Sequence, residues 1–80
     1  MLSELNSPNK VVGAKQVKRA LNDGRAKKVF LAGDADPRVT QPLAQQAVNQ
    51  RVAVELVPTM KELGAACGIA VRSAVAAIVD

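Results

Sequence analysis

The sequence predicts an α/β fold, a single-domain α/β/α three-layer sandwich with a central four-stranded mixed β-sheet. Short β-prone runs alternate with helical segments along the chain, which is typical of strands joined by crossover helices. Two of the runs, at residues 28–32 and 74–79, lack the alternation of a strand with one wet face, so helices should cover both faces of the sheet. A chain of 80 residues buries only about 60% of its extended surface, so residues 1–80 form one domain with one core.

The first part of the chain predicts two strands and one helix. Residues 2–5 suit a single helical turn, which the following Asn-Ser-Pro-Asn segment ends. Val11 and Val12 then form a very short strand. A helix begins at Ala14, because the next residues place apolar side chains on one face and cations on the other, and Gly24 ends it. The run KVFLA at residues 28–32 is the second strand.

The middle of the chain predicts a turn and a second helix. The segment GDADP at residues 33–37 has turn composition, and either Asp36 or Thr40 caps the helix that follows. Pro42 has no amide proton, so we expect it in the first helical turn and place the regular helix from about Thr40 to Asn49.

Two further strands flank the last helix. Residues 52–57, VAVELV, form the third strand and residues 74–79 form the fourth. Between them the segment TMKE, starting at Thr59, is a capping box that marks a helix start. The helix ends at Gly68, and we expect it to bury Leu63, Ala66 and Cys67. The pattern does not fix the order of the strands in the sheet.

The charge distribution predicts an acidic partner. The chain has a formal net charge of +4, and residues 1–28 carry seven of its 11 lysines and arginines but only two of its seven acids. Phe30 is the single aromatic residue. Small RNA-binding domains that stack bases on several exposed aromatic side chains are therefore excluded, and any RNA should be recognised by its folded shape.

Catalytic chemistry is poorly represented. The chain has no histidine, so Cys67 has no histidine to activate it and is predicted to be a buried thiol. Asp34 and Asp36 could bind Mg²⁺ or transfer protons, but turn and cap hydrogen bonds explain both acids and the adjoining Gly and Pro. No phosphate-loop or dinucleotide-binding fingerprint is present. We predict no enzymatic activity, no cofactor and no metal.

The single cysteine and the short apolar runs predict where in the cell the protein is found. One cysteine cannot form an internal disulfide, which indicates a reducing, intracellular setting. The first residues lack the apolar core of a signal peptide, and no apolar run reaches the roughly 18 residues of a membrane span. We therefore expect a cytoplasmic protein with no membrane partner.

The start of the first helix is the strongest candidate binding site. Unpaired amides near Gly13 and Ala14 are followed by cations on one helix face. These cations are Lys15, Lys18 and Arg19. Together they suit phosphates or the acceptor edges of guanine, and Gln16 adds a donor and an acceptor. The alternative is a solvated charged face with no ligand.

The loop between the last helix and the last strand is a second candidate. Residues 68–73 are unusually apolar for a loop. Ile69 and Val71 either plug the end of the core or form a shelf for an unstacked base, with Arg72 on a phosphate.

Three segments together resemble one family. GAKQVKRAL, AKKVFLAGDADP and VPTMKELGAACGIAV are similar, in order and spacing, to the kink-turn-binding ribosomal proteins. That family includes large-subunit proteins seven-Ae and thirty-e, and the chain is most similar to its small bacterial ribosome-associated members. The resemblance implies an α/β/α sandwich that binds kink-turns, which are sharply bent RNA helices with a bulge beside tandem sheared G·A pairs.

The resemblance also implies where RNA binds. Gly13, Lys15, Gln16 and Arg19 match the helix start that enters the RNA groove at the G·A pairs. The loop that packs on the bulged nucleotides is matched by Ile69, Ala70, Val71 and Arg72. Lys28 and Asp34 flank the site. The chain departs from the archaeal archetype in having Lys-Gln at positions 15 and 16, and Gly33 lacks the long polar side chain often found there.

Two functional hypotheses remain at this point. The first is a monomeric, non-catalytic RNA-binding protein whose partner is a kink-turn in ribosomal RNA or an mRNA leader, with the ribosome as a candidate partner. The second is a protein-interaction or scaffold module that uses the apolar loop around Ile69 and Val71.

Overall fold

The computed structural model of the chain describes residues 8–69 and 71–79. The helical turn predicted at residues 2–5 lies outside these ranges. The described elements, in chain order, are β1 (Lys10–Val12), α1 (Ala14–Asn22), β2 (Ala26–Ala32), α2 (Pro37–Asn49), β3 (Ala53–Val57), α3 (Met60–Ala66) and β4 (Val75–Val79). The predicted α/β fold with a four-stranded mixed sheet is confirmed.

The sheet has the strand order β1-β4-β2-β3. Strand β4 is antiparallel to both of its neighbours, whereas β2 and β3 are parallel. The carboxyl ends of β1, β2 and β3 therefore lie together, at the end of the sheet where β4 begins. We call this end of the sheet the carboxyl edge. Because each helix follows one of these three strands, all three helices begin there.

The two faces of the sheet are covered by different helices. One face packs against α1 and α2 in a cluster of Val17, Leu21, Val29, Leu31, Leu43, Ala47, Val75 and Ala77. The other face packs against α3 in a cluster of Phe30, Ala32, Ala35, Val57, Leu63, Cys67 and Ala76. Successive residues of β2 alternate between the two clusters, which confirms the prediction that this strand is covered on both faces.

The start predicted for α2 is wrong. The helix begins at Pro37 rather than near Thr40, so Pro42 lies in its interior. The side chain of Asp36 accepts a hydrogen bond from the amide of Arg38 at 2.9 Å, which fixes the earlier start. An interior proline typically costs about 3 kcal/mol. Burial of Leu43 on the sheet side of α2 offsets part of that cost.

The boundaries of α3 agree with its capping box. The Thr59 hydroxyl accepts a hydrogen bond from the amide of Glu62 at 3.1 Å. The helix ends beside Gly68, which has a φ of 76°. Leu63 and Cys67 are buried as predicted, whereas Ala66 is half-buried. Within the described residues, no helix is long and apolar enough to cross a bilayer.

Candidate nucleic-acid interface

The three helix starts at the carboxyl edge differ in how their amides are satisfied. Asp36 caps α2, and Thr59 caps α3. The cap residue of α1 is Gly13, which has no side chain to accept a hydrogen bond. The first amides of α1 have no intrahelical acceptor, so they remain donors at the positive end of the helix dipole.

Gly13 makes the turn from β1 into α1. Its φ of 101° lies where residues with a side chain are strained. Its amide donates to the carbonyl of Val75 at 3.0 Å, which holds the start of α1 against the start of β4. This contact fixes the position of the uncapped amides on the carboxyl edge.

The cations predicted on α1 are all accessible. Lys15, Lys18 and Arg19 are exposed, and so is Gln16, while Ala14 is half-buried against the core. No acidic residue lies in the first turn of α1. Among the residues that the structure describes, none forms an ion pair with these three cations. The helix start therefore carries uncompensated positive charge beside free amide donors.

The loop between α3 and β4 returns to the carboxyl edge next to α1. The amide of Ser73 donates to the carbonyl of Met60 at 3.1 Å, and its buried hydroxyl donates to the carbonyl of Val75 at 2.7 Å. The same Val75 carbonyl accepts from Gly13. One backbone oxygen thus joins the two segments that the sequence predicts as binding sites.

The two apolar side chains of this loop have different surroundings. Ile69 is half-buried and packs on the α3-side core, as expected of a plug. Val71 is 69% exposed. With Lys61 and Arg72 it lines a shallow cavity of about 370 Å³. Ala70, also predicted in this site, lies outside the described residues.

Gly64 allows the loop to lie directly on α3. A Cβ atom at this position would collide with the carbonyl oxygen of Val71 and would lie 3.3 Å from the Cα atom of Arg72. The backbone of the loop thus occupies the space that any larger residue would need. The position of Val71 and Arg72 depends on this glycine.

Asp34 supports the loop through α3. Its carboxylate accepts a hydrogen bond from the amide of Met60 at 2.8 Å. Met60 in turn accepts from the amide of Ser73 through its carbonyl, so the turn after β2, the start of α3 and the loop are linked in series. Asp34 therefore lies at the carboxyl edge, where the resemblance places it, with one oxygen engaged within the protein.

Asp36 is engaged by Arg38. The guanidinium and carboxylate form an ion pair with a shortest distance of 2.8 Å, in addition to the amide hydrogen bond. Hydrogen bonds from the Arg38 side chain are the main cause that holds the pKa of Asp36 below the ordinary value of 3.8. The hydrogen bond from the Arg38 amide lowers this pKa further. The capping hydrogen bond predicted for Asp36 is thus present. Within residues 8–69 and 71–79, no group of three or more potential metal ligands is close enough to bind an ion.

Lys28 lies apart from the other predicted site residues. It is four positions before the end of β2, about 13 Å from the carboxyl edge at the usual rise of a strand. Its Nζ atom is 2.9 Å from a carboxylate oxygen of Glu55 and 5.2 Å from the centre of the Phe30 ring. The Lys28 side chain lowers the pKa of Glu55. The structure does not bring Lys28 to the interface.

Lys61 lies at the candidate interface, although nothing in the sequence predicts it there. It is exposed on α3 and lines the cavity beside Val71 and Arg72. In the sequence it is an inner residue of the capping box, and no local pattern distinguishes it from an ordinary solvated lysine. Its placement depends on the loop folding back over α3.

The thiol of Cys67 is buried as predicted. It is 5% exposed and packs in the cluster with Phe30 and Leu63. Burial raises its pKa above the ordinary value. Such a thiol is a poor nucleophile at neutral pH.

Comparison with known proteins supports the resemblance. The sequence profile of the ribosomal protein L7Ae/L30e/S12e/Gadd45 family matches residues 2–80. An RNA-binding protein of Geobacillus sp. (strain WCH70) is 43% identical over 75 residues, which cover 94% of this chain and 92% of the relative. The RNA-binding protein YbxF of Geobacillus stearothermophilus is 43% identical over 68 residues, covering 85% of this chain and 83% of the relative.

Solved structures agree with the sequence comparison. The 15.5kD RNA binding protein of Giardia lamblia superposes with a TM-score of 0.88 at 27% identity, over 99% of this chain and 68% of its own. A protein with unknown function from Bacillus halodurans superposes with a TM-score of 0.86 at 25% identity, over 99% of this chain and 83% of its own. The chain thus belongs to the ribosomal protein L7Ae/L30e/S12e/Gadd45 family.

Proposed function

We propose that this protein is a non-catalytic RNA-binding protein that recognises a kink-turn or a similarly bent RNA. The observation that carries the proposal is the start of α1, where uncapped amides lie beside Lys15, Lys18 and Arg19. The relatives named above as RNA-binding proteins support it. They favour RNA binding over a protein-interaction module.

The α1 start acts by neutralising phosphates. A kink-turn brings the phosphates of its two arms close together, so the bent form is opposed by their repulsion. Lys15 and Arg19 are one helical turn apart on an exposed face, so both can contact phosphates that converge at the bend. Amide donors and Gln16 read the exposed edges of the G·A pairs. The protein thereby selects an RNA that bends easily.

The loop after α3 contacts the bulge. Val71 is 69% exposed, so it offers an apolar surface for an unstacked base. Arg72 and Lys61 border the same cavity and supply charge for the adjacent phosphates. The chain has no exposed aromatic side chain for stacking, so the bulge is held by apolar contact and charge.

The biological setting follows from this RNA. Kink-turns of the type that the family binds occur in ribosomal RNA and in mRNA leaders, so we place the protein in the cytoplasm with such an RNA, and with the ribosome, as partners. One uncapped α1 start with one loop after α3 suffices for one kink-turn, so the active form is a monomer.

A titration of labelled kink-turn RNA at two salt concentrations tests the proposal. The control RNA has Watson–Crick pairs in place of the G·A pairs. We expect tight binding to the kink-turn alone, with a log–log salt slope of roughly −0.7 to −0.9 per phosphate contact. Equal, weak binding to both RNAs would refute kink-turn recognition. Kink-turn affinity that is insensitive to salt would show that Lys15, Lys18 and Arg19 do not neutralise phosphates.

Single substitutions on α1 then locate the site. Lys15→Ala and Arg19→Ala should each weaken kink-turn binding and reduce the salt slope by about one contact. Arg25→Ala is the matched control, because Arg25 is also exposed but lies just before β2, at the opposite end of the sheet. If all three variants lose the same affinity, the positive charge acts generally and the α1 start is not the site.

A further inference from the structure

The groove between α1 and α2 adjoins the candidate interface. It has a volume of about 420 Å³, within the range of roughly 300–1,000 Å³ that is typical of ligand pockets. The lining residues are Ala14, Lys15 and Lys18 of α1 with Arg38, Val39, Pro42 and Leu43 of α2. We propose that an unpaired nucleotide flanking the bent segment of the bound RNA occupies this groove. Its base contacts the α2 side, and its phosphates contact the lysines. The inference rests on the proposed function, because it extends the same RNA contact.

Charge favours RNA as the occupant. Lys15 belongs both to the α1 start and to the groove, so a strand bound at the first continues into the second. Lys15 and Lys18 are exposed and have no ion-pair partner among the described residues. The nearby acid, Asp36, is neutralised by Arg38. The rim of the groove is therefore net positive and suits a phosphate chain.

Arg38 offers a surface on which a base can stack. Its Nε lies 3.1 Å and its Nη2 2.8 Å from Oδ2 of Asp36, so hydrogen bonds hold one side of the guanidinium while the side chain is 90% exposed. The Nη1 donors and the flat face remain available. Bases stack on arginine planes as they do on aromatic rings. In this chain the only aromatic ring, Phe30, is fully buried, so the anchored arginine takes over that role.

Pro42 and Val39 complete the α2 side of the groove. Val39 is 37% exposed, which leaves an apolar side chain facing solvent. Pro42 cannot donate to the carbonyl of Arg38, four positions earlier, so that oxygen lacks its helical donor. A ribose hydroxyl or a base amine can supply the donor. Departures from local rules of this kind are expected at functional sites.

RNA extensions provide the direct test. The full chain is titrated with a blunt kink-turn RNA and with RNAs that carry a five-nucleotide single-stranded extension at one strand end at a time. At least one extension should raise the affinity about tenfold, as expected for one stacked base. Val39→Asp should remove this gain, measured as the ratio of the affinities for extended and blunt RNA in the same variant, because the new carboxylate beside Lys15 and Lys18 also weakens binding of the blunt RNA. An acid in the first turn is favourable to a helix, so the variant should fold.

Two further variants make the test specific. Val48→Asp adds the same charge to α2 at a side chain that is 62% exposed and outside the groove, and it should keep the gain from the extension. Pro42→Ala restores the amide donor to Arg38, so it should raise the melting temperature and lower the gain. A higher melting temperature together with a smaller gain in affinity cannot result from unfolding of the variant.

The outcomes separate this inference from the proposed function. If blunt kink-turn RNA binds but no extension increases the affinity, the groove is not an RNA site. Retention of the full gain in Val39→Asp also overturns the inference. Failure of the wild-type protein to bind the blunt RNA refutes the proposed function, and the inference with it.

Discussion

The amide of Met60 donates to the carboxylate of Asp34 at 2.8 Å, across 26 positions of the chain. This bond joins the turn after β2 to the first residue of α3. Because Met60 also accepts from Ser73, the bond positions the loop that carries Val71 and Arg72. Asp34, which the resemblance places beside the candidate site, thus supports the loop after α3 through the backbone of that helix.

Asp34→Ala tests this linkage. Loss of the acceptor leaves one amide at the start of α3 unpaired and should lower the free energy of unfolding by about 1 kcal/mol. Kink-turn affinity should fall severalfold, because the loop loses its fixed position. Urea denaturation measures the first effect and RNA titration the second. Asp34→Asn keeps an acceptor oxygen and should retain most of the stability and most of the RNA affinity. Equal losses in Asp34→Ala and Asp34→Asn would mean that the charge of Asp34 matters rather than its hydrogen bond.

Cys67 should react slowly with thiol reagents in the folded protein. The side chain is 5% exposed, and burial raises its pKa, so little thiolate is present or accessible at pH 8. We expect labelling to be about 100-fold or more slower in buffer than in denaturing urea, because labelling follows transient opening. A reagent that releases a chromophore when it reacts with the thiol allows both rates to be measured by absorbance. The Cys67→Ala variant gives the background rate of chromophore release. Similar rates under both conditions would contradict a buried thiol.

Much of the fold could be predicted because its signals are local. The apolar run at residues 28–32, the capping box at Thr59 and the turn before Pro37 each depend on neighbouring residues, and each is present in the structure. The strand order β1-β4-β2-β3 could not be predicted, since pairing of β4 between β1 and β2 is decided by packing of the whole domain. Pro42 suggested a later start for α2 than the one observed, because the cap at Asp36 outweighs the cost of an interior proline.

The candidate site was less predictable than the fold. The helix pattern correctly grouped the exposed cations of α1, because residues three and four apart share a face. Lys28 was grouped with them only through the resemblance, whereas in the structure its amine is held by Glu55. Ile69 and Val71 are two positions apart but differ in burial, which no alternation rule resolves in a loop. Contacts between distant segments decide where Lys28, Ile69 and Val71 lie.

The ion pair of Asp36 should make stability depend on pH. Arg38 lowers the pKa of this carboxyl in the folded state, so the unfolded chain binds more protons as the pH falls. The stabilising contribution is therefore present above the unfolded pKa, near 3.8, and is lost as the pH falls through the lowered folded value. The urea midpoint of the wild type should exceed that of Asp36→Asn at about pH 6, and the difference should shrink as the pH falls below 3.8.

The choice of variant isolates this carboxyl. Asparagine still accepts the capping hydrogen bond from the amide of Arg38, so only the charge is removed. Glu55, whose pKa is also lowered, is present in both proteins and cancels from the difference. Equal urea midpoints of the two proteins at about pH 6 would show that Asp36 stabilises α2 only as a cap, since asparagine keeps that hydrogen bond.

Gly64→Ala should separate helix propensity from the requirement of the loop. In an isolated helix the change is favourable by about 1 kcal/mol. Here the new Cβ atom would meet the carbonyl oxygen of Val71, so the loop must move. Crowding of this kind typically costs about 1–3 kcal/mol, and the net change in unfolding free energy should be a loss. Displacement of Val71 and Arg72 should also lower kink-turn affinity at least tenfold.

Gly24→Ala is the control for a general loss of stability. Gly24 has a φ of 70° and open space around its Cβ position, so alanine strains the backbone without touching a neighbour. The position follows α1, at the opposite end of the sheet from the loop. Both glycine variants should unfold at lower urea concentration, but only Gly64→Ala should weaken RNA binding in the folded protein. Equal RNA affinity in the two variants would show that the loop after α3 makes no contact with the RNA, since its displacement alone distinguishes them.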